Sequence, residues 1–192
     1  MSFPFPPLTL ETAPDAARGM LAASHKQFGF LPSPVATAAH APALLKHMLA
    51  GFGAFDQTSL TPLEREVIAM TVAFEHGCHY CMAMHSALQA SSAEAQPIVA
   101  ALRAGARLPV PRLEALRTFA LAVLRERGHV PAAAWEAFAN AGYTEQNALE
   151  VVLGIGVYVI STFTNLVTGA ALDPPFAAFA WERPAPAAPE AG

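Results

Sequence analysis

Cysteine is nearly absent from this chain: Cys78 and Cys81 are the only two in 192 residues. So small a number excludes a disulfide framework and directs attention to redox or metal chemistry. Charge is scarce as well. Asp, Glu, Lys and Arg make up 14% of the residues, against about a quarter in an average globular protein. With 54% of residues hydrophobic, much of the surface is expected to be covered, most simply by copies of the same chain. Lysine occurs only at Lys26 and Lys46, the arginines are scattered, and the net charge is −4. No basic run exists to hold a nucleic acid. The start, MSFPFPPLTL, lacks a basic region and has too many prolines for a secretory signal, so a cytoplasmic protein is expected.

One long uncharged run is present, from Val151 to Leu172. Its length meets the criterion for a membrane span. Ser161, Thr162, Thr164, Asn165 and Thr168 interrupt it, and no basic flank precedes or follows, so a buried core or subunit-interface helix is expected and no membrane.

The rest reads as helices punctuated by proline and glycine, giving an all-α fold. Helical patterns cover 14–28, 34–55 with Pro42 starting a second helix, 93–104, 111–127 and 131–140. Thr61, Pro62 and Glu64 form a helix start with a capping box, Gly77 stops that helix, and another runs from Cys78 to about Ala90. Gly142 ends one helix and Thr144 caps the long apolar one. The organisation expected is an N-terminal extension over 1–13, a single helical domain over 14–180, and a flexible Pro/Ala-rich tail over 181–192.

The chemistry concentrates in EHGCHYCMAMH, residues 75–85, where both cysteines stand among three of the seven histidines. On a helix beginning near Cys78, positions 78, 81 and 85 share one face. A helix start favours a thiolate, which points to Cys78 as the reactive sulfur; the i, i+4 spacing to His85 points to Cys81. On the preceding helix Leu63, Val67, Met70 and Phe74 form the apolar stripe, with Glu64, Thr71 and Glu75 on a polar side. Glu66 falls toward the apolar side, where a carboxylate is either paired or fit for proton transfer.

The stretch LTPLEREVIAMTVAFEHGCHYCMAMHSALQ resembles the core of the carboxymuconolactone decarboxylase-like superfamily, in its alkylhydroperoxidase D-like, peroxidase-related branch. The family signature is a glutamate, eleven residues, then C-x-x-C-x-x-x-H, and Glu66, Cys78, Cys81 and His85 match it. FGFLPSP, PVPRLEALRTFALAV, GYTEQNALEVV and TNLVTGAALDPPF also resemble the longer members, so the likeness spans roughly residues 15–180. It implies a compact multi-helix fold and a peroxidase acting on organic hydroperoxides. It further implies that Cys81 attacks the peroxide, Cys78 resolves the sulfenic acid to a disulfide, and Glu66 with His85 relays the proton. A dithiol reductant, in the family sometimes a lipoyl protein, restores the thiols; no cofactor is implied. The branch studied most has histidine immediately before the second cysteine. Here that position is Tyr80, with His79 one earlier, so a relay role could pass to Tyr80.

Two rival readings accompany this one. A zinc site could use Cys78, Cys81 and His85 with Glu66, His76 or His79 as fourth ligand. Alternatively, inert thiols could lie buried in a noncatalytic helical oligomer. Attachment of c-type haem is excluded, because Met82 follows Cys81. Relatives form dimers, trimers and hexamers, which leads us to expect a symmetric homo-oligomer, most simply a hexamer.

Overall fold

The computed structural model describes residues 4–185, so the ends of the expected extension and tail, residues 1–3 and 186–192, lie outside the described residues. Among the described residues every regular element is helical. The order is α1 (Asp15–Phe28), α2 (Ser33–Ala38), α3 (Pro42–Asp56), α4 (Pro62–His76), α5 (His79–Leu88), α6 (Ala95–Ala104), α7 (Pro111–Arg125), α8 (Ala132–Asn140) and α9 (Glu145–Thr168). A 3₁₀ turn over Pro174–Phe179 follows, which the sequence did not announce.

The helix starts follow the expected chemistry. Thr61 and Glu64 exchange both bonds of a capping box at the start of α4, and Thr144 and Asn147 do the same for α9. Each box satisfies two backbone groups that a helix start otherwise leaves unpaired.

The central element is α4. It packs against α5, α6, α7 and α9, and every side chain from Glu66 to Ala73 is buried. The expected polar side of this helix therefore does not face water: Glu64 and Thr71 are buried and Glu75 is half-buried. Amphipathic patterning assumes one wet face, and a helix enclosed on all sides has none. Its polar groups are paired instead. Glu64 meets Arg112 at 3.1 Å, and the Thr71 hydroxyl donates to the Val67 carbonyl at 2.6 Å.

Helix α9 closes over α4 and α3. Gly154 lets them approach, since a Cβ there would lie 2.5 Å from Phe55 Cζ and 3.1 Å from Ile68 Cγ2. The buried side of α9 carries Ser161, Thr162 and Asn165, while Leu149, Val152, Leu153, Phe163, Leu166 and Val167 are exposed. The helix is long and apolar enough to cross a membrane by length and composition. It is neither a fully buried core helix nor uniformly apolar, because its inner face carries these polar side chains.

Two hydrophobic clusters result. The larger gathers α4 to α9, with Val67, Ile68, Met70, Tyr80, Ile98 and Leu116 among its members. The smaller joins α1, α2 and α3 through Ala17, Leu21, Val35, Leu45 and Met48. Trp181 packs into the larger cluster, and its indole N–H donates to the Arg103 carbonyl at 2.9 Å.

Candidate active site

Gly77 sets the geometry. It adopts φ +66°, a left-handed conformation that favours glycine, and ends α4 in a single residue. The Cys78 N–H then bonds back to the Ala73 carbonyl at 2.9 Å, so the chain turns at once into α5. Cys78 is the N-cap of α5, and its sulfur takes the place of the usual capping oxygen by accepting the Cys81 N–H at 3.5 Å. Both cysteines are free and buried.

The remaining expected residues converge on this turn. His85 Nδ1 donates to Glu66 Oε1 at 2.7 Å, and both residues are buried. That leaves His85 Nε2 buried without a partner among the described residues. Its ring lies edge-on to Tyr158, centroids 5.4 Å apart. Tyr80 is also buried, but its hydroxyl donates to Asp173 Oδ2 at 2.6 Å. The same carboxylate oxygen accepts the Ser33 N–H at 3.0 Å, which ties the start of α2 to α5. The proton of Tyr80 is thus committed to Asp173.

Asn165, from the last turns of α9, touches both sulfurs. Its Nδ2 donates to Cys81 Sγ at 3.3 Å and to Cys78 Sγ at 3.7 Å, while its Oδ1 is buried without a partner among the described residues.

The electrostatics separate the two thiols. The Cys81 thiol, the Cys81 N–H, the Asn165 amide and the charge of His85 together outweigh burial and hold Cys78 at about 7. Cys81 is pushed well above the ordinary thiol range by its bond to Cys78, by burial and by the Cys78 charge. Of the two thiols Cys78 is therefore the one that ionises first, and Cys81 the one that keeps its proton. Burial alone would depress the His85 imidazole, but the charge and hydrogen bond of Glu66 raise it overall, with Cys78 adding to the effect. Tyr80 is raised by burial and by Asp173, and stays neutral.

A cavity of about 520 Å³ opens beside this cluster, in the seam between the two hydrophobic clusters. Glu66, Tyr80, Cys81, His85, Tyr158, Ser161 and Asn165 line one wall; Phe28, Pro32, Val35, Met48, Phe52 and Phe55 line the other. Cys78 is not in the lining, and among the described residues no lysine or arginine is.

For the rival metal arrangement the described residues offer no assembled site. Among the described residues no group of three or more His, Cys, Asp or Glu side chains is placed to hold a metal ion. Of its candidate fourth ligands, Glu66 is bound to His85 and His76 Nδ1 is paired with Thr162 Oγ1 at 2.7 Å. His79 is exposed.

Four residues of the site carried no role in the sequence reading: Tyr158, Ser161, Asn165 and Asp173. A signal for two of them existed, because Ser161 and Asn165 lie four apart in an otherwise apolar run and so share a face.

Residues 42–126 match the model of the carboxymuconolactone decarboxylase family, a span that holds Glu66, Cys78, Cys81 and His85. No curated protein matches the chain. Among solved structures, the chain is similar to an uncharacterised peroxidase-related protein with an alkylhydroperoxidase core from Ralstonia eutropha. That likeness has a TM-score of 0.77 and 26% identity over 91% of this chain and 93% of the other. A cysteine-to-alanine variant of the debrominase Bmp8, solved with 2,3,4-tribromopyrrole, has a TM-score of 0.74 and 19% identity over 93% and 96% of the two chains. A peroxidase-related protein from Silicibacter has a TM-score of 0.69 and 20% identity over 91% and 95%. At those identities the last two speak to the fold alone. The likeness to the carboxymuconolactone decarboxylase-like superfamily, and to its alkylhydroperoxidase fold, therefore holds.

Proposed function

We propose that the protein is a thiol-dependent peroxidase that reduces organic hydroperoxides through Cys81 and Cys78. The observation that carries this reading is the asymmetry of the two thiols. Cys81 lines the cavity together with His85, whereas Cys78, the thiol that ionises first, is not among the lining residues.

The cycle runs on one shared proton. The Cys81 thiol passes its proton to the Cys78 sulfur, and the Cys81 thiolate attacks the terminal oxygen of the hydroperoxide. The O–O bond breaks, its electrons leave on the alkoxide, and His85 Nε2 protonates that alkoxide to the alcohol. Cys81 is now a sulfenic acid. Cys78 then attacks the Cys81 sulfur and the S–O bond breaks. The departing hydroxide takes the Cys78 proton and leaves as water. Solvent returns a proton to His85. A dithiol reductant, such as a lipoyl group, completes the turnover by attack on Cys78.

In this reading Glu66 holds His85 in the tautomer that presents Nε2 and favours its charged form. Tyr80 positions the first turn of α5 through Asp173 and does not carry the proton.

We also propose that copies of the chain assemble symmetrically across the exposed apolar face of α9, with a hexamer as the expected form. The support is six large apolar side chains left in water along one helix. Light scattering without detergent tests it, and a monodisperse monomer would end the proposal.

The decisive experiment is peroxide-dependent oxidation of dihydrolipoamide by the wild type and by Cys81→Ser. Consumption by the wild type and none by the variant is expected; equal rates would refute the reading.

A further inference from the structure

Asn165 occupies an unusual place for a buried amide. Its Nδ2 reaches Cys81 Sγ at 3.3 Å and Cys78 Sγ at 3.7 Å, and its Oδ1, although buried, has no partner among the described residues. Leaving a buried acceptor unpaired costs about 1–3 kcal/mol, so an orphan of this kind calls for an explanation. The side chain is only 3% exposed, yet it lines the cavity. A second orphan, His85 Nε2, lines the same wall.

A purely structural role for this side chain is already filled by other atoms. The end of α9 is held through the Asn165 backbone carbonyl, which accepts the N–H of Gly169 and, at 3.0 Å, that of Ala170. Those bonds do not depend on the side chain.

The two orphans complement a hydroperoxide group, which offers one hydrogen and two acceptor oxygens. The amide N–H groups, for their part, meet the need of a dithiol whose negative charge moves. In the proposed cycle the charge moves from Cys78, the thiol that ionises first, to Cys81 as the proton passes to Cys78 before the attack. The Cys81 backbone N–H serves only the Cys78 sulfur. Asn165 reaches both.

We infer that Asn165 is a further catalytic residue of this site, donating to whichever sulfur holds the charge and receiving the hydroxyl hydrogen of the entering hydroperoxide at Oδ1. The inference rests on the peroxidase reading for the peroxide half alone; the sulfur half stands on geometry. With the hydroxyl hydrogen held on Asn165 Oδ1 and the alkoxy oxygen facing His85 Nε2, the terminal oxygen is turned toward Cys81. Attack there forms the S–O bond as the O–O bond breaks, and the held hydrogen stays on the oxygen that becomes Cys81–SOH.

The test uses full-length Asn165→Leu, Asn165→Ala and Asn165→Asp. Two quantities are read: the pH dependence of iodoacetamide alkylation of the reduced protein, and the single-turnover rate of oxidation by cumene hydroperoxide. Loss of one charge-assisted hydrogen bond should raise the alkylation midpoint of the Leu and Ala variants by about one pH unit. The Asp variant, which places a charge against the sulfurs, should shift it further. Oxidation at neutral pH should slow by about tenfold or more in all three. A merely structural asparagine would not move the thiol titration in a folded variant. An alkylation midpoint unchanged in Asn165→Ala overturns the inference, and so does failure of both the Leu and Ala variants to fold. If the midpoint moves while even the wild type ignores peroxide, the sulfur half stands and the peroxide half falls together with the peroxidase reading.

Discussion

The two walls of the cavity come from different parts of the chain and hold different kinds of residue. On the α4, α5 and α9 side Glu66 holds His85 and Asn165 holds both sulfurs, while Asp173, from the segment after α9, holds Tyr80. On the α1–α3 side the lining is chiefly apolar, with Phe28, Pro32, Val35, Met48 and Phe52. The walls are tied by the bond from the Ser33 N–H to Asp173 and by the rings of Phe52 and Phe55 against Tyr158, which in turn meets His85. Under the proposed function reactivity would rest on the first wall and the fit of the organic group chiefly on the second.

The largest expected effect falls on the fixed wall. Cys81→Ser should abolish peroxide reduction, whereas Cys78→Ser should permit a single oxidation that stops at sulfenic acid, detectable by dimedone trapping and mass spectrometry. One oxidation by Cys81→Ser and none by Cys78→Ser would reverse the roles and place the reactive sulfur at the helix start.

Next in size is Glu66→Gln, which keeps volume but removes the carboxylate. A loss of about 10² to 10⁴ in turnover is expected, with an unchanged circular dichroism spectrum. Full activity would reduce Glu66 to a packing role.

The pH profile is expected to be bell-shaped. Cys78 is lowered to about 7, so its thiolate, and with it the rate, is gained as pH rises through neutrality. His85 is raised, so its proton is kept to higher pH than on an ordinary imidazole and is lost as pH climbs further, which gives the falling limb. In Glu66→Gln the falling limb should move to lower pH, because the partner that raises His85 is gone. A limb that stays in place would separate Glu66 from the proton step.

The smallest effect belongs to the apolar wall. Phe28 is half-buried and lines the cavity, and its ring contact is with Phe30 rather than with any site residue. Phe28→Ala should cost about 1 kcal/mol in binding a bulky aryl hydroperoxide, roughly fivefold in KM. Its rate with hydrogen peroxide and its thiol titration should not change. A shift in that titration would show that the two walls are coupled after all.

The legible part of this site was the local part. Glu66, Cys78, Cys81 and His85 lie on one helix–turn–helix, where helical spacing alone dictates their neighbours, and Gly77 and the Thr61–Glu64 box announced its limits. Asn165 and Asp173 reach the same cluster from far along the chain, by packing of α9 and of the segment after it, which no spacing rule encodes. The burial of the polar side that holds Glu64 and Thr71 went unread for a related reason. A helix pattern specifies which residues share a face, but whether that face meets water depends on how many neighbours surround the helix.

The contact at Asp173 also orders events in time. It joins Ser33 across 140 positions and Tyr80 across 93, and both bonds close only when almost the whole chain is available. Contacts this distant are the slow ones, since the loop entropy must be lost before they form. A chain growing from its N-terminus completes α5, with both sulfurs, long before Asn165 and Asp173 emerge. The nascent dithiol therefore spends that interval without the amide that solvates it or the carboxylate that seats its helix. Reactive sulfur and its shelter are made in that order, and oxidative damage during synthesis should fall on Cys78 and Cys81 before the last residues arrive.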